Sequence, residues 1–492
     1  MTLSSIIQRN LVLVTIILLL SSISSHLIYS QNLEALEIPK KPSFSSDVSN
    51  WTFTPTSGPA AENTEITVIG ENFMSLLEDT WTHSQIDGGR VNYDNTLAVD
   101  SNGTKHISYY DIMDQQLMYN QFFDTNGDGL ISSSEISTPT VVDTNGTVGS
   151  FSALALDSND NPHISYYDST NKNLKYAFYD GTWNVSTLDM GSPTSDDVGE
   201  CTSIAVDSKD EIHIAYYYHS NSALNYGTID SDGNWTNEQV YPSMGSVCFG
   251  TSLAVDSSDD IHIIFQNEID GDLLHAKKST NTWILTNIDG DTNSGDQNTL
   301  IYGAWNSLAI DSNDNLHVSY HARNIDESSL NYSSSAKRYA TFDGTSWTSM
   351  YFTNNSTDGR TSLAIGLDGD VHISYYQSCP NAGCEATLMY ARYNGVVWEN
   401  SQVNLVSSFT PSGNSPNYGF YSSIVLGSNG DTHIIYSDGN QNDLIYSVLP
   451  YSSQTNSNEI SVQFGEYGNV TASVVDDSTI TMFSPIGPLL GD

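Results

Sequence analysis

Seven copies of one unit, a tryptophan-led strand closing most copies, and a last copy whose missing strand stands in front of the first predict an all-β chain, a seven-bladed β-propeller. The copies read "LAVDSNGTKHISYYD" from Leu97, "LALDSNDNPHISYYD" from Leu154, "IAVDSKDEIHIAYYY" from Ile204 and "LAVDSSDDIHIIFQN" from Leu253. Three more follow, "LAIDSNDNLHVSYHA" from Leu308, "LAIGLDGDVHISYYQ" from Leu363 and "IVLGSNGDTHIIYSD" from Ile424.

Each copy opens with a short apolar run, turns through Asp, Ser, Asn and Gly, and resumes with apolar and aromatic residues, the pattern of two strands and a tight hairpin. A third strand follows, such as "NLKYAFYDG" at 173–181, then a Trp-led fourth, such as "TWNVSTLD" at 182–189. Four strands per repeat make a propeller blade. Trp81, Trp183, Trp235, Trp283, Trp347 and Trp398 each lead a fourth strand and are expected to pack between blades. The seventh copy stops after "LIYSVL" at 444–449, while an orphan Trp strand, "DTWTHSQID" at 79–87, precedes the first copy. An open ring would leave exposed strand edges, so the propeller is expected over 79–450 with strand 79–87 completing the last blade.

Residues 1–30 carry one charged residue, Arg9, before the apolar run "LVLVTIILLL", and read as a signal peptide too short in its apolar core to span a bilayer. No later segment is apolar enough to cross, so no membrane span is expected after cleavage. With 15 basic and 58 acidic residues the net charge is −43, which excludes nucleic acid as a partner and suits divalent cations. In an exported chain the four cysteines are expected to pair: Cys379 with Cys384 across "PNAG", and Cys201 with Cys248, which each lie just before the innermost strand of adjacent blades.

The stretches outside the propeller, 51–75 and 459–485, are both strand-rich. In the first, Pro55, Gly58, Pro59, Thr64, Ile66, Val68, Gly70 and Phe73 resemble the opening of an IPT/TIG domain; in the second, Val462, Phe464, Gly465, Ala472, Val474, Ile480 and Pro485 resemble its latter half. The resemblance implies an immunoglobulin-like sandwich in which the propeller is inserted, or by which it is flanked. Glu62 and Asn63 depart from the usual glycine pair, and the chain ends before the last strand such a domain normally has.

"DTNGDGLISSSE" at 124–135 matches an EF-hand calcium loop: Asp124, Asn126 and Asp128 at positions 1, 3 and 5, Gly129 at the turn, the Leu130 carbonyl at 7, Ser132 at 9 and Glu135 at 12. Strand-like flanks and Pro139 exclude an EF-hand helix pair. The loop is therefore an enlarged hairpin of blade one, expected to hold a structural calcium.

His106, His163, His213, His262, His317, His372 and His433 recur in every copy, with Asp100, Asp157, Asp207, Asp256 and Asp311 beside the first five. Chemistry needs one asymmetric constellation, so these residues are expected to bond their own hairpins or the neighbouring blade. Asymmetry enters where blades five to seven begin: Tyr302, Trp305, His321, Arg323, Arg360 and Tyr421 are the candidate ligand-binding residues at the channel mouth, suited to sugar rings or an acidic glycan. Apart from Arg9, the chain has arginine only at Arg90, Arg323, Arg338, Arg360 and Arg392, too scattered for a sialidase-like cluster, and no catalytic residue is assigned. The sequence thus points to a secreted or cell-surface, calcium-stabilised binding or adhesion module for an extracellular glycan or surface protein. The alternative is an extracellular polysaccharide-degrading enzyme, lyase or glycosidase, with its site at the channel mouth.

Overall fold

Alternation between apolar anchors and Asp/Asn/Gly turns folds each copy into an antiparallel four-stranded sheet, and there are seven of these. In blade two the strands Val148–Leu156, Pro162–Asp168, Asn173–Tyr179 and Trp183–Asp189 pair in chain order. The computed structural model describes residues 52–54, 65–69, 81–88, 91–127, 129–192, 196–245, 248, 250–280, 282–290, 300–326, 331–353, 359–377, 387–403, 418–438, 442–451, 459–463, 469–476 and 479–483. The signal-peptide assignment and the Cys379–Cys384 pairing fall outside these residues.

The second strand of a blade is not half-exposed, as simple alternation would have it. Pro162–Asp168, Ile212–Tyr218 and Ile261–Asn267 are buried along their whole length, because blades stack face to face and cover both sides of the strand. Polar residues on these strands are accordingly bonded to the next blade: the Ser165 hydroxyl donates to Thr202 Oγ1 at 2.9 Å, and Ser319 to Thr361 Oγ1 at 2.9 Å.

The hairpin between first and second strands is held by its aspartate. Asp157 Oδ1 accepts from the amides of Asn159 and Asn161 at 2.9 and 2.8 Å, and Asp100, Asp207, Asp256 and Asp311 do the same in their blades. The left-handed residue of these turns, Asp160, Asp210, Asp259 or Asp314, accepts from the backbone and hydroxyl of a serine in the preceding blade, as Asp210 does from Ser158 at 2.8 and 2.7 Å.

Tryptophans that lead fourth strands pack between blades. Trp183 stands edge-on to Tyr119 of the preceding blade at 5.0 Å, Trp283 to Tyr226 at 5.2 Å and Trp398 to Tyr339 at 5.4 Å. The same contact occurs where the chain closes: Trp81 meets Tyr390 at 5.2 Å, and Thr82–Asp87 pairs with Asp443–Leu449 as the outer strand of blade seven. Ile86 lies in one core with Val91, Leu97 and Ile107 of blade one and Ile435, Leu444, Tyr446 and Val448 of blade seven.

Residues 81–450 form this propeller unit; residues 1–80 and 451–492 make a second. In the second unit the two chain ends share one sheet: Glu65–Ile69 lies between Thr52–Thr54 and Thr479–Phe483, followed by Asn469–Asp476 and Glu459–Gln463. The second layer that a sandwich requires is not among the described residues. Nor, among them, is there a helix long and apolar enough to cross a membrane.

Candidate functional site

The repeated histidines are buried and bonded within their own blades. Nδ1 of His106, His163, His213, His317, His372 and His433 lies 2.5–2.7 Å from the hydroxyl of Tyr119, Tyr176, Tyr226, Tyr339, Tyr390 and Tyr446 on the neighbouring third strand. Burial pushes the Tyr119, Tyr176, Tyr226 and Tyr446 phenols well above their ordinary range, so each keeps its proton and donates it to Nδ1. That leaves Nε2–H to face the hairpin aspartate, as between His106 and Asp100 at 3.4 Å. In blade four a histidine replaces the tyrosine, and His262 Nδ1 meets His275 Nε2 at 2.9 Å.

Asymmetry lies at the centre of the ring. A cavity of about 180 Å³ is lined by the residues that enter the first strands, among them Asp94, Phe151, Cys201, Gly250, Trp305 and Arg360, each three positions before its blade's apolar anchor. Below them run Asn95, Ser152, Thr202, Thr251, Asn306, Thr361 and Ser422. These polar side chains girdle the channel: Thr202 Oγ1 donates to the Phe151 carbonyl at 2.8 Å, Thr251 to Cys201 at 2.6 Å, Asn306 Nδ2 to Gly250 at 3.0 Å, Thr361 to Trp305 at 2.9 Å and Asn95 Nδ2 to Tyr421 at 3.3 Å. One position deeper, the Ser203, Ser252, Ser307, Ser362 and Ser423 hydroxyls accept from the backbone amide of the next blade's anchor.

Entry into the first strand is bulged in several blades, which puts Asp94, Phe151, Cys201 and Trp305 at φ of 44–55°. Recurrence at equivalent positions marks this as scaffold. What varies is the side chain carried there. The Asp94 carboxylate accepts from the Phe151 amide at 2.8 Å and pairs with Arg360 at 3.2 Å. The Arg360 guanidinium also lies 4.2 Å from the centre of the Tyr421 ring, so it reaches from blade six over blade seven to blade one. Cys201 and Cys248 are bonded to each other and tie blade three to the entry of blade four.

Of the six residues expected at the mouth, Trp305 and Arg360 line the cavity and Tyr421 lies against Arg360. His321 is fully buried with its ring stacked on Trp305 at 5.5 Å. Tyr302 is not among the residues lining the cavity; it is buried in the core shared by blades four and five, with the Arg338 guanidinium 5.5 Å from its ring. The Arg323 side chain lies outside the described residues. Sequence reasoning missed Asp94, Phe151 and the hydroxyl girdle, all of which sit at a fixed offset from the repeat anchor.

The twelve-residue loop is clamped at its base by a bridge between Phe122 and Ile136. Asp124 Oδ1 and Oδ2 accept from the Gly127 and Gly129 amides at 2.7 and 2.8 Å, and Gly129 takes φ 76°. Glu135 folds back from the far end, accepting from the Thr125 hydroxyl and from both amide and hydroxyl of Ser132. The Thr125 hydroxyl first, then Ser132, hold its carboxyl down at about 2. Both end carboxylates are turned into the loop, a donor set that fits a hard cation. Asn126, Leu130 and Ser132 belong to the loop, whereas Asp128 lies outside the described residues; among the described residues no three His, Cys, Asp or Glu side chains converge. The loop leans on the closing strand: Thr82 Oγ1 donates to the Gly129 carbonyl at 2.6 Å, the Ile131 amide donates to Ser84 Oγ at 2.8 Å, and Ile131 enters the core that holds Ile86.

No family model matches the chain, and no curated protein matches it. Solved structures it resembles include the NanB sialidase of Streptococcus pneumoniae (12% identity over 74% of this chain and 69% of that one, TM-score 0.38). An ulvan lyase of a polysaccharide lyase family shows 12% identity over 81% and 94%, with a TM-score of 0.41. The sialidase of Trypanosoma rangeli shows 10% identity over 77% and 60%, with a TM-score of 0.40. Likenesses at this level carry no argument about what the chain does.

Proposed function

We propose that this chain is an exported glycan-binding propeller whose ligand sits at the channel mouth. The observation that carries the reading is the cavity itself. The side chains at the rim differ from blade to blade, and the lining combines Trp305, the Arg360–Asp94 pair against Tyr421, and a ring of hydroxyl and amide oxygens that can accept from sugar hydroxyls. A surface protein bearing such a glycan is a partner of the same chemistry. The second reading is cleavage of the polysaccharide. Hydrolysis needs two carboxyl groups flanking the bond, and Asp94 is the one carboxylate among the described lining residues. Eliminative cleavage suits the mouth better, with Arg360 on a uronate carboxylate and the Tyr421 phenol beside it as base.

The deciding experiment incubates the purified protein with polygalacturonate, alginate and neutral dextran and follows chain length, co-migration and near-ultraviolet absorbance. Binding without shortening, lost in Arg360→Met, is the expected result. Shortened chains with new absorbance would establish the lyase reading. Chains that neither bind nor shorten would overturn both.

The loop at 124–135 is read as a calcium site held by Asp124, Asn126, Asp128, the Leu130 carbonyl, Ser132 and Glu135, and the sheet of the second unit as one layer of an immunoglobulin-like IPT/TIG module. Because the loop bonds to the closing strand, bound calcium would stabilise the propeller as a whole. At about one hundred times the dissociation constant this is worth about 2.7 kcal/mol. Millimolar calcium is expected to raise the main unfolding midpoint by several degrees in the wild type and not in Glu135→Gln. An unchanged wild-type midpoint would remove calcium from the account.

A further inference from the structure

Blade five departs from its six companions at one buried register position. One pair before the connection that joins the second and third strands, the third strand carries Leu117, Leu174, Leu224, Leu273, Leu388 and Leu444 in the other blades, opposite Tyr110, Tyr167, Tyr217, Gln266, Tyr376 and Ser437. All six leucines are fully buried. In blade five the pair is Lys337 opposite His321, and both are fully buried too. Placing an ammonium where the fold otherwise places a leucine costs several kcal/mol of desolvation and needs a return.

The return lies in the next blade. In three of the other blades the leucine backs the glycine that opens the following blade: Leu117 backs Gly149, Leu174 backs Gly199 and Leu273 backs Gly303. Lys337 Nζ instead donates to the carbonyl of Gly359, 2.5 Å away, and the residue after Gly359 is Arg360. Blade six also enters without the bulge of its neighbours. Gly359 is adjacent to the mouth residue, whereas Gly149, Gly199 and Gly303 stand one residue further back, and Thr361–Ile365 pairs with Val371–Gln377 in unbroken register. Arg360 thus reaches the mouth by a shorter path, pinned one residue before it by a charged hydrogen bond.

We propose that Lys337 is a positioning residue. Through the Gly359 carbonyl it fixes the strand entry that aims Arg360 at an anionic group of the bound glycan, a uronate carboxylate. This rests on the reading that the mouth binds a glycan through Arg360.

The test compares the wild type with Lys337→Leu, Lys337→Arg and Arg360→Met, using polygalacturonate as the acidic probe and dextran as the neutral one. Leu is the residue six blades already accommodate, so Lys337→Leu is expected to fold with an unfolding midpoint equal to or above that of the wild type. Its affinity for polygalacturonate should nonetheless fall about tenfold, a loss of directed charge-assisted contact. Binding to dextran should be unchanged, and Lys337→Arg should recover part of the loss. A Lys337→Leu protein that keeps its polygalacturonate affinity while Arg360→Met loses it would overturn the positioning role alone. Unchanged affinity in Arg360→Met would overturn the reading beneath it. Equal losses for both probes in Lys337→Leu would mark Lys337 as structural and also end the proposal.

Discussion

Moving from pH 7 to pH 5 is expected to cost the propeller several kcal/mol of stability. Burial holds His275, His372 and His433 down at about 3, helped by His262 and Lys277 at the first, Arg392 at the second and Lys105 at the third. Burial likewise lowers His106, His163, His213, His262 and His317, against the upward pull of their aspartates. A histidine whose folded pKa lies below its unfolded value of about 6.5 takes up its proton more readily in the unfolded chain. Its contribution is complete above that value and drains away as pH falls towards the folded pKa. By pH 5 each of the three deepest histidines removes about 2 kcal/mol, at about 1.4 kcal/mol per pH unit. Three such losses are comparable with the whole stability of many domains, about 5–15 kcal/mol.

The hairpin aspartates act in a separate window. Asp100, Asp157, Asp256 and Asp311 are lowered from 3.8, so what they contribute is present above that value and lost only below it. Unfolding midpoints recorded from pH 7.5 to 4.5 would check the expectation, and a flat profile between pH 7 and 5 would defeat it. His275→Tyr supplies the internal control. It installs the residue that six blades already hold against the same histidine, removes one buried imidazole, and should narrow the gap between the midpoints at pH 7 and pH 5.

What could be read from the chain alone followed from repetition. The copy number, the orphan strand at 79–87 and the meeting of Cys201 with Cys248 all depend on counting one register, and the structure has each in place. Burial of the second strands on both faces was not legible, because "HISYYD" alternates in hydrophobicity whether one neighbour or two cover it. Tyr302 and His321 looked like mouth residues because they lie in divergent stretches, yet divergence also marks a substituted core, and both are buried. Lys337 was invisible for the opposite reason: its leucine counterparts stand on the third strand, beyond the fifteen-residue copies that set the register, so its replacement broke none of the aligned positions. The two terminal halves share a sheet, which a composition shift at each end could suggest, but no local signal supplies the layer that would face it.

Removing the closing strand should have the largest effect of any change to the chain. Thr82–Asp87 bonds along Asp443–Leu449, so its loss strips blade seven of its outer strand and exposes the edge of Asp443–Leu449. Leu444, Tyr446 and Val448, now buried, would lose part of their cover, together with the Trp81–Tyr390 contact. Chains 79–450 and 89–450 isolate the effect, since both lack the second unit and differ only in this strand. The longer is expected to unfold cooperatively and remain monomeric; the shorter should aggregate or expose apolar surface, and a synthetic peptide of residues 79–88 should restore it by strand addition. Ile86→Ala, within the intact strand, creates a cavity in the core shared by blades one and seven and should cost about 2–5 kcal/mol. Calcium adds a further discriminating measurement. Thr82 and Ser84 are the residues that bond to the loop at 124–135, so a calcium response present in 79–450 and absent from 89–450 would tie the metal to closure of the ring. A response of equal size in both would confine its effect to the loop.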